Sequence, residues 1–249
     1  MSAKAIKTRL EEILPFRNLF LQENNFQIRY NASHERGWTD SYILTYNGAK
    51  IGYGSIKGNK NLSDRDTIFE FYLIPSCRNL SSLAFTGLLH SSGSSFIECQ
   101  SNDLLLTSLL YQYGQSINSN VILFEDHIVS SLDIGNIIFR KRRDDDIVFE
   151  HKSEPVGDYV LELNKEVAAT GGFLLHYNMP FADLYMEVQE AYRRKGLGSF
   201  LIQELKRECY LMGRVPAARC NIENIASKAT LLKAGLKIAG FMLLGIAKS

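Results

Sequence analysis

The segment Arg193-Arg194-Lys195-Gly196-Leu197-Gly198-Ser199 sets three cations ahead of two glycines. It stands between an apolar strand pattern, FADLYMEV (181–188), and an amphipathic helical pattern that begins at Leu197. The first turn of a helix has free backbone N–H groups and the positive end of the macrodipole, and glycine lets a ligand approach the backbone. The chemistry offered is the reception of a diphosphate. A dinucleotide fingerprint needs a third glycine at position 201, which is Leu, and the carboxylate after the next strand, Glu223, lies past its end. A Walker loop, Gly-x-x-x-x-Gly-Lys-Ser/Thr, is absent, which argues against a nucleoside triphosphate.

Around this turn, YMEVQEAYRRKGLGSFLIQEL (185–205) resembles the strand, pyrophosphate loop and helix of the GNAT superfamily of acetyltransferases, whose motif is Arg/Gln-x-x-Gly-x-Gly/Ala. NIASKATLLKAGL (224–236) resembles that family's next helix and its glycine-aromatic exit, with Leu236 in the aromatic's place. The resemblance covers 136–249 well and implies acetyl-CoA as cosubstrate and an amine as acceptor. By that resemblance Arg193 opens the loop, and the backbone of Arg194, Lys195, Gly196, Leu197, Gly198 and Ser199 holds the pyrophosphate. Backbone groups at Met186 and Val188 pair with the pantetheine arm as an added strand would, and Asn224 and Ser227 contribute from the following helix. Asn224 is equally suited to cap that helix.

Acetyl transfer to an amine needs a base, because an alkyl ammonium holds its proton at neutral pH. Glu187, beside the expected thioester position, and His176, at the end of GGFLLHYN (171–178), are the candidate catalytic residues. Alternation puts Glu187 on the opposite face from Met186 and Val188. Cys220 reads as a buried strand residue rather than an acyl acceptor. Many members of the family carry a tyrosine seven residues after the Asn to protonate the thiolate, whereas this chain has Leu231. The alternative class is a non-catalytic CoA-sensing or partner-binding module.

Elements must position these groups. Ile6, Leu10, Ile13 and Leu14 follow helical spacing, with Pro15 expected to kink or restart the helix. YILTY (42–46) and KIGYGSI (50–56) flank Asn47-Gly48 and predict a hairpin. TIFEFYLI (67–74), FIEC (96–99) and VILFEDHI (121–128) read as strands, with helices over about 80–91 and 103–113. The second half repeats this order. Cys99 precedes Gly114 by the interval that separates Cys220 from Gly235, and YVLELN (159–164) resembles YILTYN (42–47).

The expected fold class is therefore α/β, with two tandem GNAT-like domains, each a mixed, mostly antiparallel sheet flanked by helices. Residues 1–128 would form a degenerate copy without cofactor, with Arg78, Ser81 and Leu83 where the second copy has Arg193, Gly196 and Gly198. Residues 129–249 would form the acetyl-CoA-binding catalytic domain. Only DDDIVFEHKSEPV (144–156) stands where the family places two acceptor-shaping helices, so the acceptor site is abbreviated.

The 249 residues are 45% apolar and 22% charged with a net charge of +1, which argues for a globular protein without a nucleic-acid or membrane surface. FRKRRDDD (139–146) cancels its own charge and reads as a solvated loop. Four scattered cysteines suggest neither a metal site nor disulfides. With no signal-peptide core or membrane span, the expected compartment is the cytoplasm. A homo-oligomer is left open.

Overall fold

The computed structural model describes residues 3–29 and 31–248. In chain order its elements are β1 (Ala3–Thr8), α1 (Leu10–Glu23), α2 (Asn31–Glu35), β2 (Thr39–Tyr46), β3 (Ala49–Lys57), β4 (Thr67–Leu73), α3 (Ser81–Ser92), β5 (Phe96–Gln100), α4 (Leu104–Tyr113) and β6 (Gly114–Asp126). They continue as β7 (Ile137–Lys141), β8 (Tyr159–Leu163), β9 (Glu166–Leu174), β10 (Phe181–Val188), α5 (Leu197–Leu211), β11 (Val215–Asn221), α6 (Ile225–Lys233) and β12 (Leu236–Ala247). Two compact units result. The first comprises the described part of 1–26, 30–120 and 240–249, and the second 27–29 and 121–239.

These units are not the contiguous stretches 1–128 and 129–249. Both β6 and β12 are long strands whose two ends belong to different units, so the division falls within regular strands and no linker marks it. From Gly240 the chain serves the first unit, where Met242–Ile246 pair antiparallel with Phe96–Gln100 of β5.

In the first unit the strands run in the order β1-β2-β3-β4-β5, antiparallel except for the β4–β5 pair. Alternation along β2 sends Tyr42 and Leu44 into one apolar cluster, with Phe71, Phe85, Leu88 and Leu110, and Ile43 into another, with Ile13, Phe20, Tyr53 and Tyr72. Helices α3 and α4 thus cover one face and α1 the other. Within the α1 face Glu70 is wholly buried. It accepts two bonds from Arg17 Nε and Nη2 (3.0 Å each) and one from the Tyr53 hydroxyl (2.9 Å), with His34 Nε2 at 3.3 Å.

The hairpin forms with Asn47 and Gly48 at positive φ, and Cys99 and Cys220 lie on corresponding strands β5 and β11. Three expectations need correction. Ile6 lies on a strand, paired with Ile43, and the helix starts only at Leu10, because so short a segment satisfies either periodicity until its partner is known. Pro15 sits inside α1 without dividing it. FRKRRDDD is loop only from Arg142, since its first three residues finish β7, where Arg140 pairs with both Asp146 and Glu162.

In the second unit the order is β11-β10-β9-β8-β7, with the last residues of β6 beside β11. Helix α5 packs Leu197, Leu201, Leu205 and Cys209 inward as its spacing predicts. Met212, next in the same spacing, ends the helix and is exposed. Gln203 and Lys206, although polar, are buried because each serves main-chain groups: Gln203 the N–H and C=O of Leu132, and Lys206 the carbonyls of Ile128 and Ala234. Among the described residues no helix is long and apolar enough to cross a membrane.

Candidate functional site

The chain leaves β10 through a 3-10 turn (Glu190–Tyr192) and reaches α5 by way of Arg194 (φ 63°) and Gly196 (φ 82°). Positive φ at two positions with one residue between them turns the backbone sharply, and Gly196 caps α5 with no side chain among the described residues bonded to the first-turn amides. Those N–H groups have no partner within the helix, which suits them to an anion. A Cβ on Gly198 would stand 3.1 Å from Thr230 Cγ2 and 3.2 Å from Met186 Cε, so the helix meets β10 and α6 without room for a side chain.

Beside this turn lies a cleft of about 620 Å³. Met186, Val188, Arg193, Arg194, Gly196, Leu197, Gly198, Ser199, Asn224 and Ser227 line it, as does Glu187. Lys195 does not; its ammonium lies 5.1 Å above the Tyr192 ring. The cleft follows from divergence of two strands. The parallel pairing of β10 with β11 covers Phe181↔Val215, Ala182↔Pro216 and Asp183↔Ala217 and then stops, whereas β10 stays paired with β9 as far as Val188↔Ala169. The Gln189 N–H donates to Ala168 O. Alternation of the peptide groups therefore aims those of Val188 and Met186 at the side that β11 has left. Arg193 Nε donates to Val188 O at 3.1 Å. Across the cleft, Asn224 Oδ1 accepts from Ser227 N at 3.0 Å and caps α6, leaving its Nδ2 as a donor.

Glu187 is 6% exposed and lies on the face of β10 away from Gly198. It accepts from three consecutive amides, Lys152 N (2.9 Å), Ser153 N (3.1 Å) and Glu154 N (3.1 Å), and from Ser153 Oγ (3.2 Å). Burial acts to raise its pKa, but these donors outweigh burial and hold it below the usual carboxylate range. His176 lies elsewhere. It follows β9 past the Leu174↔Asp183 pair, four residues and about 13 Å along β10 from Glu187. It is outside the cleft lining, with its ring against Tyr177 at 4.6 Å.

Two features escaped the sequence reading. One is the part that Lys152, Ser153 and Glu154 play in lining the cleft, within the segment 144–156 expected to border an abbreviated acceptor site. The other is Asp183, buried where β10 and β11 part, accepting from Arg219 Nε at 3.2 Å. An aspartate within the apolar run FADLYMEV was the available signal for it. Burial pushes Asp183 up to about 6, against the pull of Arg219 and the Tyr177 hydroxyl. The folded state therefore keeps a proton that the unfolded chain releases, and stability declines as pH rises from the ordinary 3.8 to about 6. That decline is on the order of 3 kcal/mol. Asp183→Asn should flatten it, as urea titrations at pH 4 and pH 7 would register; an equal decline in the variant would refute the assignment. Among the described residues no cluster of His, Cys, Asp and Glu suits a metal ion.

Residues 126–236 match the family model described as the acetyltransferase (GNAT) family. Comparison with curated proteins gives no significant match. Among solved structures, an acetyltransferase of the GNAT family from Colwellia psychrerythraea aligns over 100% of both chains with a TM-score of 0.73 at 13% identity. A tandem GNAT protein from the clavulanic acid biosynthesis pathway aligns over 100% of this chain and 99% of its own, with a TM-score of 0.61 at 10% identity. A GCN5-related N-acetyltransferase from Sphaerobacter thermophilus aligns over 82% of this chain and 79% of its own, with a TM-score of 0.54 at 10% identity. At such identities the likeness to these structures is one of fold.

Proposed function

We propose that the chain is an acyltransferase that moves an acetyl group from acetyl-CoA to an amine, a reading supported by the match of residues 126–236 to the acetyltransferase (GNAT) family model. The observation that carries this reading is the continuity of one cleft from the start of α5, where the N-cap Gly196 offers no side-chain bond, to the edge of β10 that β11 leaves beyond Asp183. A diphosphate would rest on the amides from Arg194 to Ser199, with the cations of the turn nearby. The extended arm would lie along β10, pairing with Met186 and Val188 as a strand does. Arg193 would then release Val188 O, since both cannot occupy that carbonyl in the same way.

At the reacting centre a backbone N–H near Val188 would stabilise charge on the thioester oxygen as the amine attacks. Leu231, 3% exposed, has no proton to give, so the thiolate takes its proton from the attacking nitrogen or from water. The second unit is the catalytic one in this reading, and the first, whose loop at Pro75–Leu80 runs through a 3-10 turn without glycine, shapes or supports it. Cys77, Cys99, Cys209 and Cys220 are all free thiols, which supports a reducing, cytoplasmic setting.

The test is release of CoA thiol from acetyl-CoA over a panel of primary amines, with calorimetry of acetyl-CoA binding in parallel. Amine-dependent release is expected. Binding without release across the panel would overturn the transfer and leave a CoA-binding module; no binding would overturn both.

A further inference from the structure

We propose that Glu154 is the carboxylate that takes the proton from the incoming amine, and that Glu187 is a positioning residue that holds the Glu154 loop at the cleft. The inference rests on the acetyl-transfer reading above and deepens it. Glu187 and Glu154 line the same cleft but differ in what surrounds them. Glu187 receives four donors, three of them consecutive amides of the loop that carries Glu154. A carboxylate so occupied is a weak base and a strong clamp. The Glu154 carboxylate has no hydrogen-bond or ion-pair partner among the described residues, although its backbone N–H is fixed 3.1 Å from Glu187 Oε2. It is the cleft carboxylate left available to a ligand.

Four charged or titratable groups face Glu154. Arg219 on β11 and His151 on its own loop favour its charged form, whereas Glu187 and Asp183 on β10 repel it. Partial desolvation of the carboxylate, in a residue that is exposed as a whole, and then the repulsion from Glu187 raise its pKa above the ordinary glutamate value, in the direction that suits a general base. His151 is not a rival for the role, because both ring nitrogens are engaged. Nδ1 is 3.0 Å from Glu154 O, Nε2 is 3.2 Å from Thr170 Oγ1, and the ring stacks on Phe149 at 4.7 Å.

A primary amine arrives as an ammonium ion at neutral pH, and Glu154 is the cleft carboxylate without an ion-pair partner among the described residues, since Glu187 has Arg193 Nη2 at 4.0 Å. One N–H proton passes to the Glu154 carboxylate, which becomes a carboxylic acid. The neutral nitrogen then forms a bond to the thioester carbon as the carbon–sulfur bond breaks. The second proton of the nitrogen leaves with the thiolate, and Glu154 returns its proton to solvent. The balance is an amide, CoA thiol and one released proton.

The test uses the full chain with acetyl-CoA and ethanolamine, putrescine and an N-terminally blocked lysine peptide, following the best acceptor from pH 6 to pH 10. In E154Q, kcat/KM at pH 7 should fall by about 10²–10⁴-fold. The loss should shrink toward pH 10, where solvent deprotonates the amine, and the Kd for acetyl-CoA should stay within about threefold, since general-base catalysis contributes nothing to cofactor binding. E187Q should also lower kcat/KM and, having removed a repelling charge, should move the acidic limb of the profile to lower pH. A purely structural Glu187 would leave that limb in place. Wild-type turnover with E154Q unchanged in rate and profile would overturn the proposal alone. Acetyl-CoA binding without wild-type turnover on any of the three amines would overturn the transfer reading and the role of Glu154 with it.

Discussion

Gly198→Val should weaken acetyl-CoA binding by at least about 100-fold, close to 3 kcal/mol, while the variant stays folded. Any Cβ at 198 already meets Thr230 Cγ2 at 3.1 Å and Met186 Cε at 3.2 Å. Two further methyl groups have nowhere to go but toward the cleft or against β10. Met186 is an adaptable side chain and valine is no worse in a helix than glycine, so the strain is absorbed mainly by displacing the first turn of α5. That displacement moves the amides expected to hold the diphosphate. Calorimetry on both proteins, with circular dichroism melting to show that the fold persists, checks the result. An unchanged Kd in a folded variant would remove the diphosphate from this turn.

Glu70→Gln should destabilise the first unit by about 3–5 kcal/mol, the usual cost of removing one partner of a buried ion pair. Arg17, 6% exposed, would keep its charge without its carboxylate, and the Tyr53 hydroxyl and His34 would face a neutral amide. The single tryptophan, Trp38, belongs to this unit, so its fluorescence in a urea titration reports the loss where it occurs. Replacing both partners, as in Arg17→Met with Glu70→Leu, should recover part of it, because no buried charge is then left uncompensated, while the Tyr53 hydroxyl, His34 and Asn31 still lose their bonds to the pair. Burial opposes the charged form of Glu70, yet Arg17 and His34 hold its pKa well below the glutamate value. The folded state therefore binds the proton less readily than the unfolded chain, and this contribution is present above the unfolded pKa and lost as pH falls toward the folded one. A variant as stable as the wild type at neutral pH would show that the network contributes little.

Much of the fold was legible because local rules coincide with tertiary need. Asn47-Gly48 between alternating strands predicts a hairpin, and a hairpin forms there. The stripe of α5 from Leu197 to Cys209 predicts the face that packs, and that face is buried. Ile6 shows where local rules stop, since six residues satisfy either period and only pairing with Ile43 decides for a strand. Gln203 and Lys206 show another limit. Polarity predicts solvent, yet each is buried against main-chain groups distant in sequence, and nothing in a helical period indicates those partners.

What the sequence determined by itself is the turn Arg193–Ser199, the strand before it and the helix after it, because glycine spacing, cations and periodicity act within one short stretch of chain. The family resemblance rests on that stretch together with NIASKATLLKAGL (224–236), and the tandem fold class on the repeated order of elements. Tertiary structure alone decided which carboxylates face the cleft and what surrounds each. Alternation assigns Asp183 and Glu187 to a face of β10, but the cover on that face is a loop some thirty residues upstream, whose Lys152, Ser153 and Glu154 amides close on Glu187. The ionisation of a carboxylate depends on the donors and charges within a few ångströms of it, and contacts made across such a separation in the chain leave no periodic trace in the sequence.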